Sequence, residues 1–237
     1  MTTVDIVIPV LNEEVALPGS VARLRAFLQA NLPYRWRIVI ADNGSTDRTL
    51  ELARGMARDF GDVAVTHLDQ RGRGRALRKV WTESDADILS YMDVDLSTGL
   101  EAFPPLVRSI AEEGFHLATG SRLLPQSKLK RSLKREVLSR GYNYMIKGLF
   151  FTPFSDAQCG FKAISSKAAR ELIPLTKDTG WFFDTEILII GHMRGYRIKD
   201  IPVAWIEDPD TRVKVFSTVY RDIKGLLRLR FQRPWKG

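Results

Sequence analysis

Four short apolar runs rich in β-branched residues, at 4–10, 37–41, 63–68 and 88–92, each give way to polar or glycine-bearing residues, and the segments between them carry helical spacing. Runs that are apolar throughout, rather than in alternation, must be covered on both faces, as in a parallel sheet with helices on either side. With helices at 15–29, 46–59 and 74–84 the pattern reads βαβαβαβ and predicts a doubly wound α/β sheet. Ligands of such sheets bind beyond the carboxyl ends of the strands, so the residues that follow the runs are the first candidates for function. They are Asn12 and Glu13, then Asp42, Asn43 and Gly44, then Asp93, Val94 and Asp95.

A chain of 237 residues buries one substantial core, so we expect one globular domain over 1–215 and a C-terminal extension over 216–237. The second half is less regular. Residues 116–121 read as a strand, the basic stretch 128–134 as a mobile loop and 135–151 as a helix, while 157–164 and 198–205 read as strands flanking a helix at 184–194. In the extension, Phe216, Val219, Tyr220, Ile223, Leu226 and Leu227 share one helical face and Arg221, Lys224 and Arg228 another, with Arg230 near the apolar edge. Such a basic amphipathic helix either lies on an anionic membrane surface or packs its stripe against the body.

Composition excludes several classes. No stretch approaches the roughly 20 apolar residues of a membrane span, and the acidic Asp5 within the first run marks a strand rather than a signal peptide. A cytoplasmic chain is expected. The lone cysteine, Cys159, rules out an internal disulfide and a multi-cysteine zinc site. The net charge of +8 favours an anionic partner without choosing among nucleic acid, anionic lipid and a phosphorylated substrate.

Asp93 and Asp95 stand two apart at a strand end, where two carboxylates repel each other unless a cation lies between them. Their hard oxygens suit Mg²⁺ or Mn²⁺; the plainer reading is a helix cap and a solvated side chain. In Asp42-Asn43-Gly44-Ser45-Thr46-Asp47, Gly44 can make the tight turn and Ser45 or Thr46 can cap the next helix, leaving Asp42 to accept from a base or ribose; turn chemistry alone also accounts for the segment. Arg71-Gly72-Arg73-Gly74-Arg75 precedes a helix, so its backbone and guanidinium groups could hold phosphate, or the loop is simply solvated. It is no dinucleotide fingerprint, because it follows the third strand rather than the first.

Taken together, IPVLNEE at 8–14, ADNGSTD at 41–47, RGRGRAL at 71–77 and MDVDLS at 92–97 resemble the family 2 GT-A glycosyltransferases in order and spacing. GSR at 120–122, REVLSRGYN at 135–143, DAQCGFK at 156–162, WFFDTE at 181–186 and IPVAW at 201–205 look like the branch that makes polyprenyl or dolichyl phosphate sugars. The resemblance covers nearly the whole chain and implies the GT-A nucleotide-diphospho-sugar transferase fold, a Rossmann-like mixed sheet flanked by helices. By similarity, Pro9, Glu13 and Asp42 line the nucleoside pocket with Arg71 and Arg73 beside it, and Asp93 and Asp95 bind Mg²⁺ or Mn²⁺ and the diphosphate. Arg122, Arg135 and Ser139 match positions that receive the acceptor phosphate, Arg212 is a further phosphate contact, and Asp156 resembles the family's essential carboxylate. Two departures stand out: Arg73 where lysine is more usual, and Ser97 in the place of a frequent glutamine.

The implied activity is inverting transfer of a hexose from a nucleotide-sugar to polyprenyl or dolichyl phosphate. DAQCGFK and WFFDTE look closer to the glucose than to the mannose synthases, so UDP-glucose is the first donor and GDP-mannose the second. With no span of its own, the enzyme is expected as a peripheral protein on the cytoplasmic membrane face. The chemistry makes sense independently. A phosphomonoester has a second pKa of about 6, so its oxygen is already largely anionic near neutral pH, and orientation and cations matter more than a strong base. Asp156 is therefore expected to position a substrate rather than to remove a proton. A soluble saccharide or protein acceptor is the alternative; nucleic-acid binding is not expected, because no aromatic-interleaved recognition motif is evident. Asp184 is a candidate sugar contact and Glu186 a lesser one, Trp181 and Trp205 read mainly as packing residues, His67, His116 and His192 show no metal-ligand spacing, and Cys159 reads as a small buried hydrophobe.

Overall fold

The computed structural model describes residues 1–130, 133–206 and 215–236, and side chains within 1–129, 136–206 and 219–236. The first half alternates as its apolar runs require: β1 (Thr3–Val10), α1 (Leu17–Asn31), β2 (Arg35–Asp42), α2 (Thr49–Asp59), β3 (Val63–His67), α3 (Arg73–Glu83) and β4 (Ile88–Met92). The second half adds α4 (Phe103–Ala111), β5 (Leu117–Ser121), β6 (Lys128–Lys130), α5 (Leu133–Phe150), β7 (Phe161–Ser165), α6 (Ser166–Leu172), α7 (Phe183–Met193), β8 (Ile198–Pro202), β9 (Ala204–Ile206) and α8 (Val215–Gln232).

The sheet order is β3-β2-β1-β4-β7-β5-β8, with β6 and β9 forming a separate parallel pair. β1 to β4 are parallel, whereas β7 runs antiparallel between β4 and β5, so the sheet is mixed. Side chains alternate across it as the pleat demands. Ile6, Ile8, Ile38 and Ile40 pack with Leu17, Leu24, Ala53 and Phe103 of α1, α2 and α4. Val7, Val39 and Tyr91 face the other layer, built from α3, α5, α6, α7 and α8. Asp5, which interrupts the first run, is neutralised by Arg37 at 2.7 Å and accepts from the Ser84 hydroxyl at 2.6 Å.

Several sequence expectations need correction. The strand expected from 157 begins only at Phe161, and residues 156–160 form a loop that enters the site. The stretch 128–134 is not strand-free, because β6 pairs with β9 and α5 already starts at Leu133. α4 was not anticipated, although Pro104 and Pro105 occupy the first helical positions, where the missing N–H costs nothing. Ser45 and Thr46 do not cap α2; Ser45 Oγ accepts from Asn12 N at 3.0 Å and Thr46 N donates to Asn12 Oδ1 at 2.8 Å, stitching the β2–α2 loop to the β1–α1 loop.

In α8, Asp222, Gly225, Leu226 and Leu229 face the core. Burying the two leucines stabilises the docked helix by about 1.5–3 kcal/mol each, and Arg228 joins Glu186 of α7 at 2.7 Å. Arg228 is thus a docking residue rather than part of a solvated basic face. Val219, Tyr220, Ile223, Leu227 and Phe231 are exposed, and the side chain of Phe216 lies outside the described residues.

Candidate active site

The β1–α1 and β2–α2 loops meet beyond the strand ends. Asn12 holds a left-handed conformation at φ 56° and braces the second loop, Glu13 N donates to Thr49 Oγ1 at 2.8 Å, and Gly44 turns at φ 75°. Pro9 is half-buried at the end of β1, next to this junction. Asp42 is fully buried. Its Oδ2 contacts His67 Nδ1 at 2.6 Å, while Oδ1 has no hydrogen-bond partner. A buried carboxylate oxygen without a donor is costly, and this residue is one that the family resemblance assigns to a nucleoside pocket. His67, set aside for want of metal-ligand spacing, is Asp42's partner; the signal was parallel register, which puts the last residues of β2 and β3 side by side.

Asn43 Oδ1 accepts from Gly72 N at 2.7 Å and so positions the arginine-glycine loop. Part of the loop's backbone is engaged within the protein, Gly74 N donating to Gly180 O and Arg75 N to Thr179 O, both at 3.1 Å. Arg71 is exposed. Arg73 is turned inward, with Nη2 at 2.7 Å from Asp93 Oδ1, Nη1 at 3.6 Å from Asp184 Oδ2, and its guanidinium against the rings of Tyr91 and Trp181 at 4.8 and 4.7 Å. Burial opposes its charge, but Asp93 and Asp184 hold it more firmly protonated than a free arginine. Asp184 also contacts Tyr91 Oη and Lys162 Nζ, the latter at 3.2 Å, and burial followed by the Asp184 charge pushes the Tyr91 phenol well above its usual pKa. Glu186 is spent on structure, accepting from Lys177 N, Asp178 N and Arg228.

Asp93 and Asp95 flank Val94 just past β4. Asp95 is exposed and its Oδ1 accepts from Ser97 N at 2.9 Å, while Asp93 keeps 38% of its side chain accessible. Gly160 touches this carboxylate: a Cβ there would lie 1.9 Å from Asp93 Oδ2. Among the described residues no group of three or more His, Cys, Asp or Glu converges on one point. Two carboxylates are nevertheless a fitting donor set for Mg²⁺ or Mn²⁺, ions that commonly take one or two carboxylates and fill their other positions with water and substrate phosphates.

Beside this centre lies a second, built on Arg122 and Asp156. Asp156 is completely buried and accepts from Arg122 Nε at 2.7 Å, Arg122 Nη2 at 3.0 Å, Arg122 N at 3.1 Å and Gln158 N at 3.1 Å. Burial would raise its pKa, yet the Arg122 guanidinium overrides this and keeps the carboxyl below the usual range. Trp205 lies 5.5 Å from the same guanidinium, positioned because β9 bonds to residues 97–99 after β4. Ser139, at 9% exposure on α5, has an unpartnered Oγ. The Asp93 charge reaches Arg122, and the 156–160 loop runs from one centre to the other. The side chain of Arg135 and all of Arg212 lie outside the described residues. Cys159 is buried between the centres, and burial pushes its thiol up to about 12.

Residues 5–173 match the sequence profile of Glycosyl transferase family 2. Glycosyltransferase AglD of Haloferax volcanii is 34% identical over 225 residues, covering 94% of this chain but only 35% of AglD, so the chain spans about a third of that relative. Dolichyl-phosphate beta-glucosyltransferases of Dictyostelium discoideum and Saccharomyces cerevisiae are 27% and 25% identical, covering 96% and 95% of this chain and 74% and 73% of theirs. The relatives match the dolichyl-phosphate sugar branch that the second-half motifs resemble. Among solved structures, glucosyl-3-phosphoglycerate synthase from Mycobacterium tuberculosis, in complex with Mn²⁺, UDP and phosphoglyceric acid, superposes with a TM-score of 0.73 at 20% identity, over 97% of this chain and 78% of that one. At that identity the likeness establishes the fold, which is GT-A.

Proposed function

The chain belongs to glycosyl transferase family 2, and on that premise we propose that it transfers glucose from UDP-glucose, with inversion, to the phosphate of a polyprenyl or dolichyl lipid. GDP-mannose is the second donor to consider. The observation that carries the reading is the adjacency of two differently built arginine–carboxylate centres joined by the 156–160 loop. In this reading the partly accessible Asp93 and the exposed Asp95 serve the leaving diphosphate, and the Arg122 guanidinium, fixed by Asp156, serves the acceptor phosphate.

In this reading Asp42 accepts from the base or ribose through Oδ1, with His67 holding the carboxylate in place. Pro9 and Glu13 shape the same end of the pocket, and Arg71 and Arg73 face the diphosphate. Asp93 and Asp95 would hold Mg²⁺ or Mn²⁺, which when bound neutralises the diphosphate and improves it as a leaving group. Arg122 orients the acceptor phosphate with the Ser139 hydroxyl, and Arg135 and Arg212 are assigned to it by resemblance. Asp156 acts through Arg122. Buried, fully bonded and ionised, it is suited to positioning rather than to taking a proton, and an anionic phosphate needs no base.

A lipid acceptor requires the chain to reach a bilayer, and no helix among the described residues is long and apolar enough to cross one. α5 packs on α8, with Phe150 against Trp235 just beyond α8, and Tyr144 of α5, Phe151 after it and Tyr220, Leu227 and Phe231 of α8 are exposed, as are Arg221, Lys224 and Arg230. That combination fits a peripheral contact with an anionic lipid surface, each basic group adding about 1 kcal/mol near it.

A panel of UDP-glucose and GDP-mannose with Mn²⁺ or Mg²⁺, a short polyprenyl phosphate and a soluble saccharide, with products identified by mass, tests the proposal. Glucosyl lipid phosphate is the expected product; glycosylation of the soluble acceptor alone would replace the lipid reading.

A further inference from the structure

Arg73 stands where a cation bound to Asp93 would act. Its Nη2 takes Asp93 Oδ1 at 2.7 Å, and Gly160 hems in Oδ2 so closely that a Cβ there would come within 1.9 Å. One side of the carboxylate is thus closed by Gly160 and Oδ1 is taken by Arg73. A divalent ion and this guanidinium would compete for the same oxygen, and two cations packed against it would repel each other.

The guanidinium also has somewhere to go. Nη1 already lies 3.6 Å from Asp184 Oδ2, and a shift of about 1 Å would bring it to hydrogen-bond range. The rings of Tyr91 and Trp181 line that short path and favour a cation along it. Arginine's planar fork can address two carboxylates and a phosphate in turn, whereas the single ammonium of lysine cannot bridge them in this way.

We propose that Arg73 is an exchangeable internal counter-cation: without donor it occupies Asp93, and it passes to Asp184 and the donor diphosphate when a divalent ion takes its place. Metal binding is then coupled to nucleoside diphosphate binding, because the incoming phosphates give the displaced guanidinium a new charge-assisted partner. This rests on the reading of Asp93 and Asp95 as the metal carboxylates. A metal arriving alone must break the Arg73–Asp93 contact without that compensation, which weakens it by about ten- to a hundredfold.

The test is Mn²⁺ binding followed by electron paramagnetic resonance of the free ion, with no turnover involved. Wild type, Arg73→Gln and Arg73→Lys are titrated with Mn²⁺ alone and with UDP, after thermal melts have confirmed folding. We expect wild type to bind Mn²⁺ at least about tenfold tighter with UDP than without, and Arg73→Gln to bind Mn²⁺ alone about ten- to a hundredfold tighter than wild type. Arg73→Lys, which retains a charge but loses the fork, decides the matter if the glutamine variant does not fold, with an expected tightening of about threefold or more. Equal affinity of variants and wild type for Mn²⁺ alone, with UDP still promoting binding, overturns the exchange and leaves the metal carboxylates standing. Absence of Mn²⁺ binding with UDP in every protein overturns the metal assignment and the exchange together.

Discussion

Arg73–Asp93 and Arg122–Asp156 both close at 2.7 Å, yet Asp93 keeps 38% of its side chain accessible and takes one hydrogen bond from its arginine, while Asp156 is sealed from solvent and takes two from the guanidinium and two from backbone N–H groups. The contact distance is the same and the consequences differ. A partly exposed pair with a second carboxylate nearby can exchange partners at small cost, whereas a buried pair with every oxygen satisfied is fixed, and breaking it strands a charge. One centre is suited to receiving a diphosphate and the other to holding an orientation.

The largest expected effect comes from the fixed pair. Asp156→Asn leaves the Arg122 guanidinium buried without its counter-charge and should cost about 3–5 kcal/mol of stability, read as a fall in the urea midpoint with an unchanged slope. An unaltered midpoint would show that Arg122 is satisfied elsewhere and that the two centres are alike. The exchangeable side should behave in the opposite way. Asp95→Ala, and to a lesser degree Asp93→Ala, should lower turnover by about a hundredfold or more while stability moves by less than about 1 kcal/mol. Retained metal-dependent turnover in the double variant would remove the pair from the mechanism.

A pH-dependent effect distinguishes α8. Burial, and then the Asp184 charge, raises the Asp222 carboxyl to about 7. In the native state it therefore binds a proton that the unfolded chain has released, and stability should fall as pH rises from about 4 towards 7 and flatten beyond. Asp222→Asn should remove that slope, so that wild type loses ground to the variant between pH 5 and pH 8 in thermal melts. Parallel pH profiles would mean that Asp222 is ionised throughout.

The proposed nucleotide side was more legible in the sequence than the proposed acceptor side, and the reason is physical. Parallel strands carry their own signal, so Asp42 and Asp93 could be placed at strand ends from apolar runs alone. Register also made the Asp42–His67 contact available in principle, but a search confined to metal-ligand spacing passed over it. Other features depend on partners remote in the chain. Nothing local in the arginine-glycine loop shows that Thr179 and Gly180 accept its N–H groups, and nothing local in the extension shows that Arg228 serves Glu186 across 42 residues. Asp156 was recognisable as a residue of note by resemblance. Its complete burial against Arg122 was not, because an Asp in a short polar stretch reads as a turn until the fold closes over it.

The division of labour between the centres can be tested by kinetics in which each substrate is varied separately. Arg122→Lys retains a charge for Asp156 but loses the fork, and initial rates at varied polyprenyl phosphate and varied UDP-glucose should show KM for the lipid phosphate rising about tenfold or more, with KM for the donor within about twofold of wild type. A defect confined to the donor would contradict the account and assign both arginine centres to the nucleotide-sugar.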